Sequence, residues 1–352
     1  MTTTTTGSYG HALEVRQFTM LGLTALMKEL EAQGVDPNVL LAGTGLPSST
    51  INDPDTRISH QQKVQIFRNM HQSMREPDSG LRAGQRQRIS DFGIYGYAVI
   101  SSSTFGDAVE FGIRHVRLLG PVFDKSFHIE GGEGVFRGQQ LMALGNLLPL
   151  ASEFWLSSIQ ALGYWILEKP MPSISLRLPY PAPDYWRRYE EIFRCPVTFG
   201  CDVMEWRFDA RILDVSCPNA NPITAAVTAD LCRQLLANLP EESELVERIR
   251  LACLNQRGKF PSADAFADQI GISTRTLHRQ LASDNKTYQG VLDEIRCTLA
   301  KQFLDQPDLP VETVAAQVGF SEASNFRKAF RRWTGQTPSE YRDSMARQQE
   351  HQ

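Results

Sequence analysis

The sequence has no apolar run near the roughly 18–20 residues that a membrane-spanning helix needs. Its first ten residues are rich in threonine and contain neither a basic residue nor an apolar stretch, which excludes a secretory signal and an arginine-rich transit peptide. The expectation is a disordered tail over residues 1–15 and a cytoplasmic protein with no membrane partner. None of the six cysteines forms a C-x-x-C pair, and a chain of 352 residues buries enough apolar surface to do without disulfide staples. They read as reduced, small apolar side chains. Cys195 and Cys201 are close enough in sequence for a redox pair to stand as the alternative. The seven histidines show no H-E-x-x-H and no paired Cys/His spacing, so no metal is expected. There is no G-x-x-x-x-G-K, no G-x-G-x-x-G and no G-x-S-x-G, which removes the common phosphate loops and the hydrolase elbow. Gly131-Gly132-Glu133-Gly134 reads as a hairpin turn. No cofactor is expected.

Charge is nearly balanced, but not evenly spread. Residues 250–345 hold 13 Lys/Arg against 11 Asp/Glu, a net of +2, whereas residues 1–249 are net −6. An acidic body with a mildly basic tail suits a protein that docks only its tail on nucleic acid.

Periodicity divides the chain. Helical spacing covers residues 21–32, 59–74 and 105–119. Residues 127–136 read as a hairpin and 151–167 as an apolar helix. Ile174, Leu176 and Leu178 alternate as a half-buried strand, residues 185–193 as a helix, and Met204, Trp206 and Phe208 as a last strand. This predicts an α+β N-terminal domain, helices plus a small sheet, over residues 16–237. From residue 222 onward everything reads as helix. An all-α domain is expected over 238–345, with a disordered tail at 346–352. Trp155, Tyr164, Trp165, Trp186 and Trp206 are either ordinary core or the lining of a ligand pocket.

The C-terminal part contains an internal repeat. Phe266-Ala267-Asp268-Gln269-Ile270-Gly271-Ile272-Ser273 returns 48 residues later as Val314-Ala315-Ala316-Gln317-Val318-Gly319-Phe320-Ser321. In each copy a glycine suits the left-handed residue after a helix, an apolar residue anchors the turn, and a serine is placed to cap the next helix. That is a helix-turn-helix unit, present twice. In the first second helix Leu277 and Leu281 face inward, leaving Arg275, Thr276, His278 and Arg279 outside. In the other, Phe326, Phe330 and Trp333 face inward, leaving Ser324, Asn325, Arg327, Lys328 and Arg331 outside. Tyr288, Leu292, Ile295, Leu299 and Phe303 recur by three and four, predicting one long helix that joins the units. Arg327, Lys328, Arg331 and Arg332 are either phosphate and base contacts or a solvated face; the helix-turn-helix frame favours contact.

The stretch Phe326-Arg327-Lys328-Ala329-Phe330-Arg331-Arg332-Trp333-Thr334-Gly335-Gln336-Thr337-Pro338-Ser339-Glu340-Tyr341-Arg342 completes a resemblance to the DNA-binding domain of the AraC/XylS transcription regulators. Gly271-Ile272-Ser273-Thr274-Arg275-Thr276-Leu277, the linker Arg296-Cys297-Thr298-Leu299-Ala300 and the second repeat also carry it. The resemblance implies double-stranded DNA as partner, with each recognition helix in successive major grooves. It points to Arg275, His278 and Arg279, and to Ala323, Ser324, Arg327 and Lys328, with Ser273, Thr276, Ser321, Asn325 and Arg331 beside them. Ala323 departs from a polar reader, since it presents only a methyl.

Asp91-Phe92-Gly93-Ile94-Tyr95-Gly96-Tyr97-Ala98 and Ser102-Ser103-Thr104-Phe105-Gly106-Asp107-Ala108, with Leu81-Arg82-Ala83-Gly84 upstream, resemble the arabinose-binding-type sensor domain of the branch typified by ornithine-utilisation regulators. This implies a homodimer controlled by a small-molecule effector or by oligomerisation through that domain, and it carries across no effector residue; contact with RNA polymerase is a further expectation. The alternative is an enzyme with an appended DNA-binding domain, such as an alkyl-transfer repair protein. That chemistry needs a thiolate and a four-cysteine zinc site, which the spacing of Cys195, Cys201, Cys217 and Cys232 does not suit.

Overall fold

The computed structural model describes residues 18–53, 56–142, 144–239, 244–254, 258–284, 286–304 and 309–350, with Thr5, Thr6 and Arg16. The chain forms two compact units, one of residues 1–139 and 144–240, the other of residues 140–143 and 241–352.

The first unit is α+β. Its opening strands β1 (Thr5–Thr6) and β2 (Phe18–Thr19) precede α1 (Thr24–Ala32); β3 (Arg57–Ile58) pairs with β2. Next come α2 (His60–Ser73), α3 (Ser79–Gln85), α4 (Gly93–Ile100) and α5 (Phe105–His115). Ser59 and Thr104 start α2 and α5 with reciprocal capping boxes through Gln62 and Asp107. The hairpin of β4 (Phe123–Glu130) and β5 (Glu133–Gln140) leads into α6 (Leu148–Leu167), then β6 (Ser173–Arg177), α7 (Arg187–Phe193), β7 (Val197–Thr198), β8 (Met204–Asp209) and α8 (Pro222–Ala237). The main sheet has the order β1-β4-β5-β8-β6-β7, with β6 and β7 parallel. An aromatic cluster of Phe127, Phe136, Trp206 and Phe208 covers it, and Phe105 of α5 and Phe193 of α7 close on that cluster. α6, apolar on nearly every side, is the central helix and packs along α3.

One buried charge organises the helices. The Glu29 carboxylate is wholly buried and accepts from Arg82 Nε at 2.7 Å and Arg86 Nε at 2.5 Å, tying α1 to α3. Burial alone would raise its pKa. The hydrogen bonds from Arg86, Gln33 and Arg82 outweigh that and hold it below the ordinary value.

Three expectations change. Thr5–Thr6 pair with Phe127 and Ser126, inside the stretch read as a tail; the rest of residues 1–15 lies outside the described residues. Ile174 does not alternate inward with Leu176 and Leu178. A register shift between Ser173 and Ser175 turns it out, 40% exposed. The terminal helix runs to Glu350, past the expected start of a tail at 346, because Ala346-Arg347-Gln348-Gln349-Glu350 are helix-favouring types with nothing to stop them.

The second unit is all helix: α9 (Glu244–Leu254), α10 (Ala263–Ile270), α11 (Thr274–Ser283), α12 (Tyr288–Leu304), α13 (Val311–Gln317), α14 (Ala323–Thr334) and α15 (Pro338–Glu350). The first of these helices is described from Glu244. A single core joins Val246, Phe266, Leu277, Leu281, Ile295, Leu299, Val314, Phe326 and Phe330. Arg296 of α12 lies between the rings of Phe260 and Phe320, 5.2 Å from each centroid. Gly271 and Gly319 both take left-handed backbone, φ +74° and +80°. Their surroundings differ. A Cβ on Gly271 meets nothing within 4 Å, whereas one on Gly319 would stand 2.8 Å from the Gly258 carbonyl oxygen.

Gly271→Ala should therefore cost about 1 kcal/mol, the left-handed penalty of an L-residue. Gly319→Ala should cost clearly more, because backbone must move as well. Denaturant unfolding of both variants checks this; equal midpoints would contradict it.

Candidate nucleic-acid interface

α10–α11 and α13–α14 are the two helix-turn-helix pairs. In the first, Gly271 ends α10, and Ser273 begins α11 by accepting a hydrogen bond from the Thr276 N–H at 3.1 Å. The Ser273 and Thr276 hydroxyls also bond each other at 2.9 Å. The Thr274 hydroxyl donates to Asp264 at 2.6 Å and locks α11 to α10. Leu277 and Leu281 are fully buried, which forces Arg275, His278 and Arg279 into solvent. No ion pair engages those three among the described residues.

The second unit departs from the first at its start. Ser321 does not cap: the N-cap position of α14 is Glu322, which makes no side-chain cap, and Ser321 lies one position too early. Ser324 instead donates to the Glu322 carboxylate at 3.2 Å. Ala323 is half-buried and its methyl packs on the core. Phe326, Ala329 and Phe330 are buried, so Ser324, Asn325, Arg327, Lys328 and Arg331 face outward. Arg327 is held by Glu312 of α13 at 2.7 Å. The Glu312 backbone N–H and then the Arg327 guanidinium hold that carboxyl below its usual pKa. Arg332 reaches back to Asp293 of α12 at 2.8 Å, and Arg342 donates to the carbonyls of Leu304 and Leu309. Both are structural ties. Arg331 lies in the last turn of α14, about 12 Å along the axis from Ala323. That is more than two turns beyond the N-terminal end, the end by which a recognition helix enters the major groove.

In the first unit a cavity of about 150 Å³ lies among α2, α4, α5, α6 and β4. Of the five aromatics singled out in the sequence, Trp155 alone lines it. Trp206 is buried against the sheet, Trp165 donates to the Gln87 carbonyl, and Tyr164 and Trp186 are largely exposed. The sequence reading missed four polar lining residues: Lys63, Gln87, Lys125 and Ser158. A signal was present for two. Lys63 shares a helix face with Phe67, and Lys125 alternates with Phe123 and Phe127 on the inward face of β4.

Four of the cysteines do not resemble nucleophiles. Burial pushes the thiols of Cys195, Cys217 and Cys232 up to about 11 and that of Cys253 up to about 12. An attacking thiolate needs the opposite shift. Among the described residues all six are free, no cluster of three metal-ligating side chains occurs, and no helix is long and apolar enough to cross a membrane.

Paired helix-turn-helix units with basic, outward recognition helices, behind an α+β domain, define a DNA-binding transcription regulator. Residues 34–216 match the arabinose-binding domain of AraC transcription regulators, N-terminal, and residues 266–344 match a helix-turn-helix domain family. The chain is 32% identical to the ornithine utilization regulator of Pseudomonas aeruginosa over 91% of this chain and 94% of that one. It is 26% identical to the transcriptional regulator VirS of Mycobacterium tuberculosis, covering 93% and 96%. The crystal structure of the transcriptional regulator CdpR from Pseudomonas aeruginosa aligns with a TM-score of 0.47 at 26% identity, over 92% of this chain and 98% of that one. The chain belongs to the AraC family of transcription regulators.

The capping difference is measurable. Ser273→Ala should destabilise the second unit by about 1 kcal/mol. Ser321→Ala should stay within about 0.5 kcal/mol of the parent in the same unfolding experiment.

Proposed function

We propose that residues 238–345 read DNA through α11 and α14, and that residues 16–237 sense a small-molecule effector and form a homodimer, in a cytoplasmic regulator without enzymatic activity. Arg275, His278 and Arg279, with Ser324, Asn325, Arg327 and Lys328, make the base and phosphate contacts. Ser273, Thr276, Ser321, Ala323 and Arg331 border them, and RNA polymerase is a further partner. The observation that carries the reading is the outward row of Arg275, His278 and Arg279. Three hydrogen-bonding side chains without a protein ion pair stand at the start of a helix whose other side is wholly buried.

The homodimer is supported by α8. Ile223, Val227, Leu231 and Leu235 recur every four residues along it and are 78%, 56%, 42% and 40% exposed. A stripe of large apolar side chains on one helix face, left in water, is what a second copy of the same helix covers by two-fold symmetry.

Two measurements test this. Selection from a random duplex pool should return two short blocks about one helical turn apart. Arg279→Ala should relax preference in one block at a cost of about 1–3 kcal/mol, and Lys328→Ala should act on the other. Sedimentation should show a dimer that Leu231→Glu converts to monomer. A pool with no enriched motif, from folded protein, refutes the DNA reading; a Leu231→Glu protein that stays dimeric refutes the α8 interface.

A further inference from the structure

Three side-chain amides of the first unit use both their ends. Gln62 donates to the Thr44 carbonyl at 2.8 Å and accepts from the Ser59 N–H at 2.9 Å. Asn69 donates to the Leu40 and Ala42 carbonyls and accepts from Gln65. Gln33 donates to Glu29 and Ser79 and accepts from the Arg75 N–H. Gln87 differs. It is 1% exposed, its Nε2 donates to the Gly22 carbonyl at 2.7 Å, and its Oε1 has no hydrogen-bond partner among the described residues. The residue is held on two further sides. Its N–H donates to the Gly84 carbonyl, and its own carbonyl accepts from Trp165 of α6 at 3.1 Å. The bond to Gly22 settles which end of the amide is which: the atom left over is an acceptor.

Gln87 and Gly22 both stand in the wall of the cavity. Most of that wall is apolar, with rings from Phe67, Phe92, Phe154 and Trp155. Lys63 donates to the Leu119 carbonyl at 2.7 Å, Ser158 to the Phe154 carbonyl and Tyr95 to the Gly112 carbonyl at 2.9 Å. A buried amide oxygen with no partner is costly, and native folds leave few of them. At a cavity wall a ligand can bring the partner, and an acceptor asks for a hydrogen. A hydrocarbon leaves Oε1 as it was. An ether sets lone pairs against it, and a carboxylate sets charge against it. An ammonium brings hydrogens together with a second cation in the wall that holds Lys63. A volume of about 150 Å³ holds a body about the size of benzene.

We propose that this cavity binds a neutral compound with an apolar body about the size of a benzene ring and one O–H or N–H, which donates to Gln87 Oε1. The proposal rests on the sensing role of the first unit and deepens it by naming the effector class. The place suits that role. α4 and α5 supply Tyr95, Val99, Ala108 and Gly112 to the wall, and they are also helices on which α8 packs. An occupant that displaces them displaces the seat of the apolar stripe.

The test is calorimetry on the full-length protein with phenol, toluene, anisole, benzoate and benzylamine, together with affinity for the selected duplex at saturating phenol. A purely apolar cavity takes toluene over phenol, because a hydroxyl that leaves water for no partner is penalised. Gln87 should reverse that order: phenol should bind roughly fivefold or more tighter than toluene or anisole, the factor a neutral hydrogen bond gives. Benzoate and benzylamine should bind more weakly than phenol. Gln87→Met keeps the bulk and removes the acceptor, so it should bind toluene at least as tightly as phenol. It also takes a donor from the Gly22 carbonyl, so thermal unfolding checks its fold; the order of ligands on the parent protein decides the matter without it. Ala108→Leu, which narrows the cavity from α5, should weaken phenol and toluene alike. The proposal is overturned if toluene, anisole or benzoate matches phenol on the parent, if folded Gln87→Met keeps the preference for phenol, if Ala108→Leu leaves phenol binding unchanged, or if no probe binds. Phenol binding in the expected order with no change in duplex affinity would support the site and refute the sensing role. Toluene and phenol binding alike, each with a shift in duplex affinity, would keep the sensing role and overturn recognition by Gln87.

Discussion

The two DNA-reading units depend on one shared apolar core wrapped round α12. Leu277 and Leu281 of one and Phe326 and Phe330 of the other belong to the same buried cluster as Ile295 and Leu299 of α12. Arg296, between Phe260 and Phe320, pins the segment before the first unit to the turn of the second. The close approach of Gly319 to Gly258 leaves no room for that turn to slide. Because interiors of this density transmit displacement rather than absorb it, the pair moves as one body, and the recognition helices keep a fixed offset.

The first unit is organised by contrast between its buried charges. Glu29 is satisfied by Arg82 and Arg86, and Glu205 by Arg137 and Arg207; both carboxyls fall below their ordinary pKa despite burial. Glu153 shows the other solution. Burial raises it to about 7, although Tyr189 and Tyr185 donate to it, so the proton stays on through mildly acidic pH.

Much of the second unit was legible in the sequence, because each of its features is local. The left-handed glycines, the Ser273 cap and the outward arginines follow from a few adjacent residues. What escaped was whatever a neighbouring element decides. Ser321 stands in the register of a cap, but α14 starts one residue later than the repeat implies. Ala323 looked like a reader and turns its methyl inward. Arg327 looked free and is claimed by Glu312, fifteen residues away. In the first unit α3 and α4 were not read as helices, because glycines at 80, 84, 93 and 96 obscure the periodicity. Gly80 and Gly84 are there so that α3 can lie against Glu153 and Ser157 of α6. Thr5–Thr6 and the bulge at Ile174 are products of strand pairing, which periodicity does not report.

The Arg327–Glu312 pair separates the two recognition helices by their response to ionic strength. A side chain such as Arg279 that meets a phosphate displaces a condensed counterion and adds about 0.9 to the slope of log affinity against log salt. When Arg327 leaves Glu312 for the same kind of contact, a bare carboxylate remains and gathers a cation of its own. The net exchange of ions is then close to zero. If α11 and α14 dock as proposed, the first helix grips through a contact that salt erodes. The second would then release one partner to gain another, so that a base returning two hydrogen bonds makes the exchange worthwhile and a random phosphate does not.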